Sequence, residues 1–204
     1  MTLRLKGLSA ESMRRAFPDS DRLTLTEISP GLFQAKIVPR PRDPKPAPLS
    51  SSEREFYLTP DGTPVPGALR AAATDIVGKA TSAWDSMRAV VDWVSREMTY
   101  ELTPRHLDDL TLLEVRRGDC TEYTQLTIAL LRALGIPARM RIGLAGEGSM
   151  LVAHAWVEFH DGVGWHEIDP TAGRTSVDAS YIDASVMDLL PLLADGGVRV
   201  IAVE

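Results

Sequence analysis

Gly118-Asp119-Cys120-Thr121-Glu122 is the stretch from which the rest of the chain is read. It holds the only cysteine of the 204 residues. The basic pair Arg116-Arg117 precedes it, and Tyr123 to Leu134 follows. In that following run Leu126, Leu130, Leu131 and Leu134 recur at helical spacing and define one buried stripe. Gly135 and then Pro137 stop the helix in the expected order. Cys120 therefore falls in the first turn of an amphipathic helix. Unpaired backbone N–H groups and the helix dipole favour a thiolate at such a position, and the thiolate is the nucleophilic form. Taken alone, a single cysteine reads as a small buried hydrophobe. Its surroundings decide between the two readings.

Composition narrows the partners. A net charge of −6 and a pI near 5.3 point away from nucleic acid and from anionic membranes, which both call for basic patches. One cysteine excludes an intramolecular disulfide and makes a cysteine-ligated zinc site a poor expectation. Charged residues interrupt the first apolar positions (Arg4, Lys6, Glu11, Arg14, Arg15), so no secretory signal is read there. The expected location is the cytoplasm, although a piece of a longer chain would read the same way. Oligomeric state is not legible.

Outward from the centre, elements follow from periodicity. Ser9 is expected to cap a short helix over Leu8–Phe17 that Pro18 ends. Residues 22–38 read as two strands around Pro30-Gly31. Five prolines between Pro39 and Pro48 read as an extended connector, with a docking motif for a proline-binding module as the other reading. Arg54–Leu58 reads as a strand. Helices are expected over Ala68–Val77, over Ser82–Met98 and around Asp109–Arg116. After the cysteine helix the period falls to two. Strands are expected over Ala138–Leu144, Leu151–Phe159 and Trp165–Asp169, with Asp161–Gly164 as a hairpin turn. A loop over 145–150 is read as a lid, Ile182–Leu193 as a helix and Val198–Val203 as a closing strand. The expected class is α+β, with helices packed on an antiparallel sheet. The expected organisation is residues 1–52 as strands and connector, and 53–204 as a catalytic domain.

A cysteine nucleophile needs a base and a group that orients the base. The four-residue turn 161–164 pairs 160 with 165, 158 with 167 and 156 with 169. Side chains alternate, so His154 and Trp156 share a face with Asp169. The diagonal places the imidazole and the carboxylate about 7–8 Å apart at Cβ, close enough for their tips to bond. Cys120, His154 and Asp169 are thus the candidate catalytic residues. Trp156 is read as a site wall or a core residue, and Asp119 as a helix cap or a group shaping substrate entry. The backbone N–H of Cys120 is the natural oxyanion donor. His160 and His166 flank the turn, and one register brings them together. They lack a third ligand apart from Asp161 or Glu167, so no metal and no cofactor are expected. His106 reads as a solvated loop residue.

Four blocks carry a family resemblance: Arg117-Gly118-Asp119-Cys120, Leu130 through Arg139 (LLRALGIPAR), His154-Ala155-Trp156-Val157-Glu158, and Gly164-Trp165 with Ile168-Asp169-Pro170-Thr171. In this order, and with Asp92-Trp93-Val94 and Tyr100 ahead of them, the chain resembles the transglutaminase-like superfamily over residues 66–172. The resemblance implies a papain-like α+β fold with a Cys–His–Asp triad at Cys120, His154 and Asp169. It implies a cysteine-dependent amide hydrolase or acyl transferase that acts on a peptide or protein amide. Thr121 stands where cross-linking members carry tryptophan, which points away from protein cross-linking. The alternative is a catalytically silent binding module on the same scaffold.

Overall fold

The structure is a computed structural model that describes residues 1–6, 9–20, 22–39, 46–102, 107–147, 150–185, 188 and 199–203. His106 and residues 40–45 of the proline-rich stretch lie outside the described residues. The class is α+β, as the sequence predicts. By contact the chain divides into two units, each discontinuous in sequence. One comprises residues 1–41, 142–154 and 177–204, the other residues 42–141 and 155–176.

In the first unit, β1 (Thr2–Lys6), β2 (Leu23–Ser29), β3 (Leu32–Ile37) and β10 (Arg199–Val203) form an antiparallel sheet in the order β10-β1-β3-β2. Leu3 pairs with Ala35, Leu5 with Phe33 and Leu23 with Ile37. Period-two alternation thus delivers Leu3, Leu5, Leu23, Leu25, Phe33, Ala35 and Ile37 to one buried face. Helix α1 (Ala10–Ala16) adds Met13, Ala16 and the following Phe17 to that core. Its cap is the expected one, with Ser12 N–H donating to the Ser9 hydroxyl. Strand β1 was not expected. Its partners stand 26 or more residues away, so a local pattern of five residues gives little sign of it. Strand β9 (Tyr181–Asp183) occupies the start of the segment read as a helix, pairing with Gly143–Ala145; most of 184–198 lies outside the described residues.

The second unit is built on α6 (Cys120–Ala133), with α3 (Gly67–Val77), α4 (Ala83–Glu97) and α5 (Asp109–Val115) around it. Leu126, Leu130 and Leu131 pack with Leu69, Val90, Val91, Val94 and Leu112. Glycine ends α6 as predicted. Gly135 has φ of 73°, its N–H donates to Arg132 O, and Ile136 N–H donates to Leu131 O. Only a residue tolerant of the left-handed region closes a helix in this way. The expected strand over Arg54–Leu58 is instead helix α2 (Ser51–Leu58). Ser50 and Glu53 close a capping box there, a signal that outweighs the β preference of Phe56 and Tyr57. No α2 residue is fully buried, so no apolar stripe marked it in the sequence.

In the first unit β9 pairs with β6 (Ala138–Glu147) at Gly143–Ala145, and in the second β7 (Met150–His160) pairs antiparallel with β8 (Trp165–Ile168) over Val157–His160. The hairpin register is the predicted one: His160 opposes Trp165 and Glu158 opposes Glu167. Val157, Phe159 and Ile168 on the alternate face join the α6 core. Ala145 to Glu147, expected at the start of a lid, are strand, and 148–149 lie outside the described residues.

Candidate active site

The thiol is delivered by a tightly tied turn. β4 (Thr99–Tyr100) runs parallel to β5 (Arg117–Gly118), and Glu101 N–H donates to Gly118 O at 2.9 Å. Asp119 then caps α6. Its Oδ1 accepts from Thr121 N–H at 2.8 Å, while its own N–H donates to Glu122 Oε2 at 2.8 Å. The capping role is therefore the one Asp119 fills in this structure. Cys120 follows as the first helical residue, partly exposed and with a free thiol. The Asp119-x-x-Glu122 spacing is a capping-box signal in the sequence itself; what it did not reveal is that Glu122 is buried. Burial raises the Glu122 carboxyl above its ordinary value, against the Asp119 N–H that it accepts, and the Asp119 charge acts in the same sense as burial.

Glycine is required at 118 for space. A Cβ built there lies 2.3 Å from Glu122 Cβ and 2.5 Å from its Cγ. Behind the thiol, Tyr123 is buried and donates its hydroxyl to Met98 O at 2.8 Å. Burial raises its phenol further above the ordinary value, so it stays a donor.

Asp169 belongs to the same unit as Cys120. It leaves β8 buried, with Oδ1 accepting from Thr171 N–H at 2.9 Å and Ala172 N–H at 3.4 Å. Its backbone bridges Arg174 in both directions, at 2.8 and 2.7 Å. A carboxylate held this way by main-chain donors has a fixed orientation. His154 lies on β7 in the other unit, half-buried, its ring 5.9 Å from that of Tyr181. Trp156, two residues along, is fully buried.

The histidines flanking the hairpin turn do not form a pair. His160 opposes Trp165 and His166 opposes Phe159, so the two rings lie on opposite faces. His160 Nδ1 accepts from Gly162 N–H and its Nε2 faces Ala47 O, whereas His166 Nε2 meets Asp161 Oδ2 at 3.0 Å. Among the described residues no group of three His, Cys, Asp or Glu is placed to hold a metal ion. No described helix is long and apolar enough to cross a membrane.

One charged cluster was not read from the sequence. Glu158 and Glu167 oppose each other, both buried. Arg139 Nε bonds Glu158 at 2.7 Å, its Nη1 donates to Tyr57 OH at 2.9 Å, and its guanidinium lies 4.3 Å from the centre of the Trp165 ring. Arg141 lies 3.9 Å from Glu167 and 4.0 Å from Glu158. Two buried carboxylates on adjacent strands stand only with such counter-charges.

Residues 70–170 match the family model of the Transglutaminase-like superfamily. The uncharacterized protein YebA of Bacillus subtilis is 31% identical over 148 residues, which cover 61% of this chain and 20% of that protein. A protein-glutamine gamma-glutamyltransferase of Pseudomonas aeruginosa is 40% identical over 76 residues, covering 32% of this chain and 11% of that protein. The chain thus spans a fifth or less of the length of these two curated relatives. The periplasmic domain of TgpA from Pseudomonas aeruginosa has a similar fold, with a TM-score of 0.58 and 21% identity over 85% of this chain and 70% of that one.

Proposed function

The chain belongs, through residues 70–170, to the transglutaminase-like superfamily, and on that premise we propose that it is a cysteine-dependent amide hydrolase or acyl transferase. The observation that carries the reading is a partly exposed thiol at the first position of a capped helix, inside a family match that also spans His154 and Asp169. In this reading Cys120 Sγ attacks the carbonyl carbon of a peptide or protein amide. Its proton passes to His154 and then to the leaving nitrogen, so that the C–N bond breaks as an amine departs. The product is a thioester on Cys120. Water attacks it to complete hydrolysis; an amine attacks it to complete acyl transfer. Asp169 holds the imidazole. The Cys120 N–H, one of the helix donors without an intrahelical acceptor, receives the oxyanion.

The test is alkylation of Cys120 by iodoacetamide between pH 5 and 9 in wild type, His154→Ala and Asp169→Asn. Wild type is expected to label at pH 6 at least about tenfold faster than His154→Ala, since a paired base contributes factors of that order or more. Equal rates in all three proteins refute the triad and leave the chain a binding module. We place the protein in the cytoplasm as part of the same reading. Its recovery with a periplasmic or membrane fraction overturns that placement.

A further inference from the structure

We infer that Arg116 is a positioning residue for the Cys120 thiol, an inference that rests on the reading of Cys120 as nucleophile. Arg116 has φ 50° and ψ 45°, the one non-glycine residue with positive φ among the described residues. It ends α5, where a left-handed residue is commonly glycine because a Cβ is costly there. Such strain persists only where the surroundings enforce it, and it concentrates at functional sites.

The enforcement comes from the side chain. Arg116 Nε donates to Leu113 O at 3.1 Å, Nη1 lies 3.5 Å from Glu97 Oε2, and the guanidinium carbon lies 5.0 Å from the centre of the Trp93 ring. One side chain thus joins the end of α5 to the last turns of α4. The backbone of the same residue serves both neighbours: its N–H donates to Leu112 O and its C=O accepts from Thr99 N–H, each at 2.9 Å.

From there to the thiol the chain has little freedom. Arg117 pairs with Thr99, Gly118 O accepts from Glu101, and Asp119 N–H is held by Glu122. The direction in which the chain leaves Arg116 therefore sets where Cys120 sits. Glycine alone would stop the helix. What arginine adds is a latch onto Trp93 and Glu97.

The test compares wild type, Arg116→Gly, Arg116→Lys and Trp93→Phe in the full chain. Melting temperature, the pH profile of Cys120 alkylation and amide hydrogen exchange over residues 117–121 are measured. Arg116→Gly keeps the left-handed backbone without its strain and removes the latch, so the melting temperature is expected to stay within about 4 °C of wild type. Its alkylation rate at pH 6 is expected to fall at least about fivefold and amides 117–121 to exchange faster, with Arg116→Lys intermediate. A wild-type profile and wild-type exchange in a folded Arg116→Gly protein overturn the inference and make Arg116 a plain helix stop. Should Arg116→Gly not fold, Trp93→Phe decides: a shifted profile supports the latch and an unchanged one overturns it. Wild type labelling no faster than His154→Ala refutes the nucleophile instead, and hydrogen exchange alone then decides whether Arg116 positions the turn.

Discussion

Gly118→Ala isolates the packing that seats the thiol. The added methyl meets Glu122 Cβ at 2.3 Å, Cγ at 2.5 Å and Oε2 at 2.6 Å, distances at which one group has to move. Glu122 Cβ is fixed by the α6 backbone, so the turn itself has to shift, and because Glu122 Oε2 accepts the Asp119 N–H that shift opens the capping box. Overpacking costs about 1–3 kcal/mol and loss of a cap about 0.5–2 kcal/mol. The sum is roughly 1.5–5 kcal/mol, or about 3–20 °C in melting temperature for a chain of this size. The assay is thermal unfolding by circular dichroism, repeated in Glu122→Ala and Glu122→Gly backgrounds. Because the shortest contact is to Cβ, which alanine keeps, Gly118→Ala remains costly in Glu122→Ala. It becomes nearly neutral in Glu122→Gly, where no Cβ is left to meet. A loss below about 0.5 kcal/mol in wild type, within the range of an ordinary surface change, refutes the reasoning. So does an equal loss in all three backgrounds.

Two further predictions concern carboxyl groups whose environments act in opposite directions. Burial works against the charge of Asp161, yet the N–H groups of Gly164 and Val163, the Trp84 indole and His166 hold it down to about 2, below its ordinary 3.8. A depressed carboxyl contributes stability that is complete above its unfolded value and is lost as pH falls through the folded one. Melting temperature should therefore drop between pH 4 and pH 2 more steeply in wild type than in Asp161→Asn; parallel curves contradict this. Glu122 has the reverse sign: its raised pKa makes the folded state lose stability as pH rises above the ordinary 4.5. Glu122→Gln keeps an acceptor for the Asp119 N–H, so it should match or exceed wild-type stability at pH 7, with the advantage vanishing near pH 4. A variant clearly less stable than wild type at both pH values is the contrary result.

What could be read from the sequence was what neighbouring residues settle among themselves. The α6 stripe at Leu126, Leu130 and Leu131 shows as a local spacing, and the stop at Gly135 and the hairpin register around 161–164 rest on contacts within a few residues or across one short turn. Elements settled by distant partners were not legible. Strand β1 exists because β3 and β10 flank it, and β9 because Gly143–Ala145 offers it an edge. Helix α2 shows a different failure: its decisive signal is the single pair Ser50 and Glu53, against the two β-favouring residues Phe56 and Tyr57 later in the same segment. At the site, the residue types of the turn were legible, but the burial of Glu122 and the left-handed backbone of Arg116 were not. Both arise from packing against residues that no short window contains.

The cap and the thiol make competing demands on this turn. A capping box supplies two carboxylates, and each opposes a thiolate beside it. The helix N-terminus favours the same thiolate with an effective half charge shared over four N–H groups. Asp119 and Glu122 spend their charge on N–H donors: Oδ1 of Asp119 takes the Thr121 N–H, and Oε2 of Glu122 takes that of Asp119. That arrangement leaves the Cys120 N–H as the helix donor nearest the sulfur, while the raised pKa of Glu122 delays the second negative charge of the turn as pH rises. The turn thus trades some electrostatic support for a fixed geometry. In the mechanism we propose, a nucleophile that depends on a base carried by a separate strand gains more from fixed geometry, because a misplacement of about 1 Å can cost about a hundredfold in rate. Gly118 and Arg116 serve the same end from opposite sides, one by leaving no room to move and the other by anchoring the chain before it reaches the thiol.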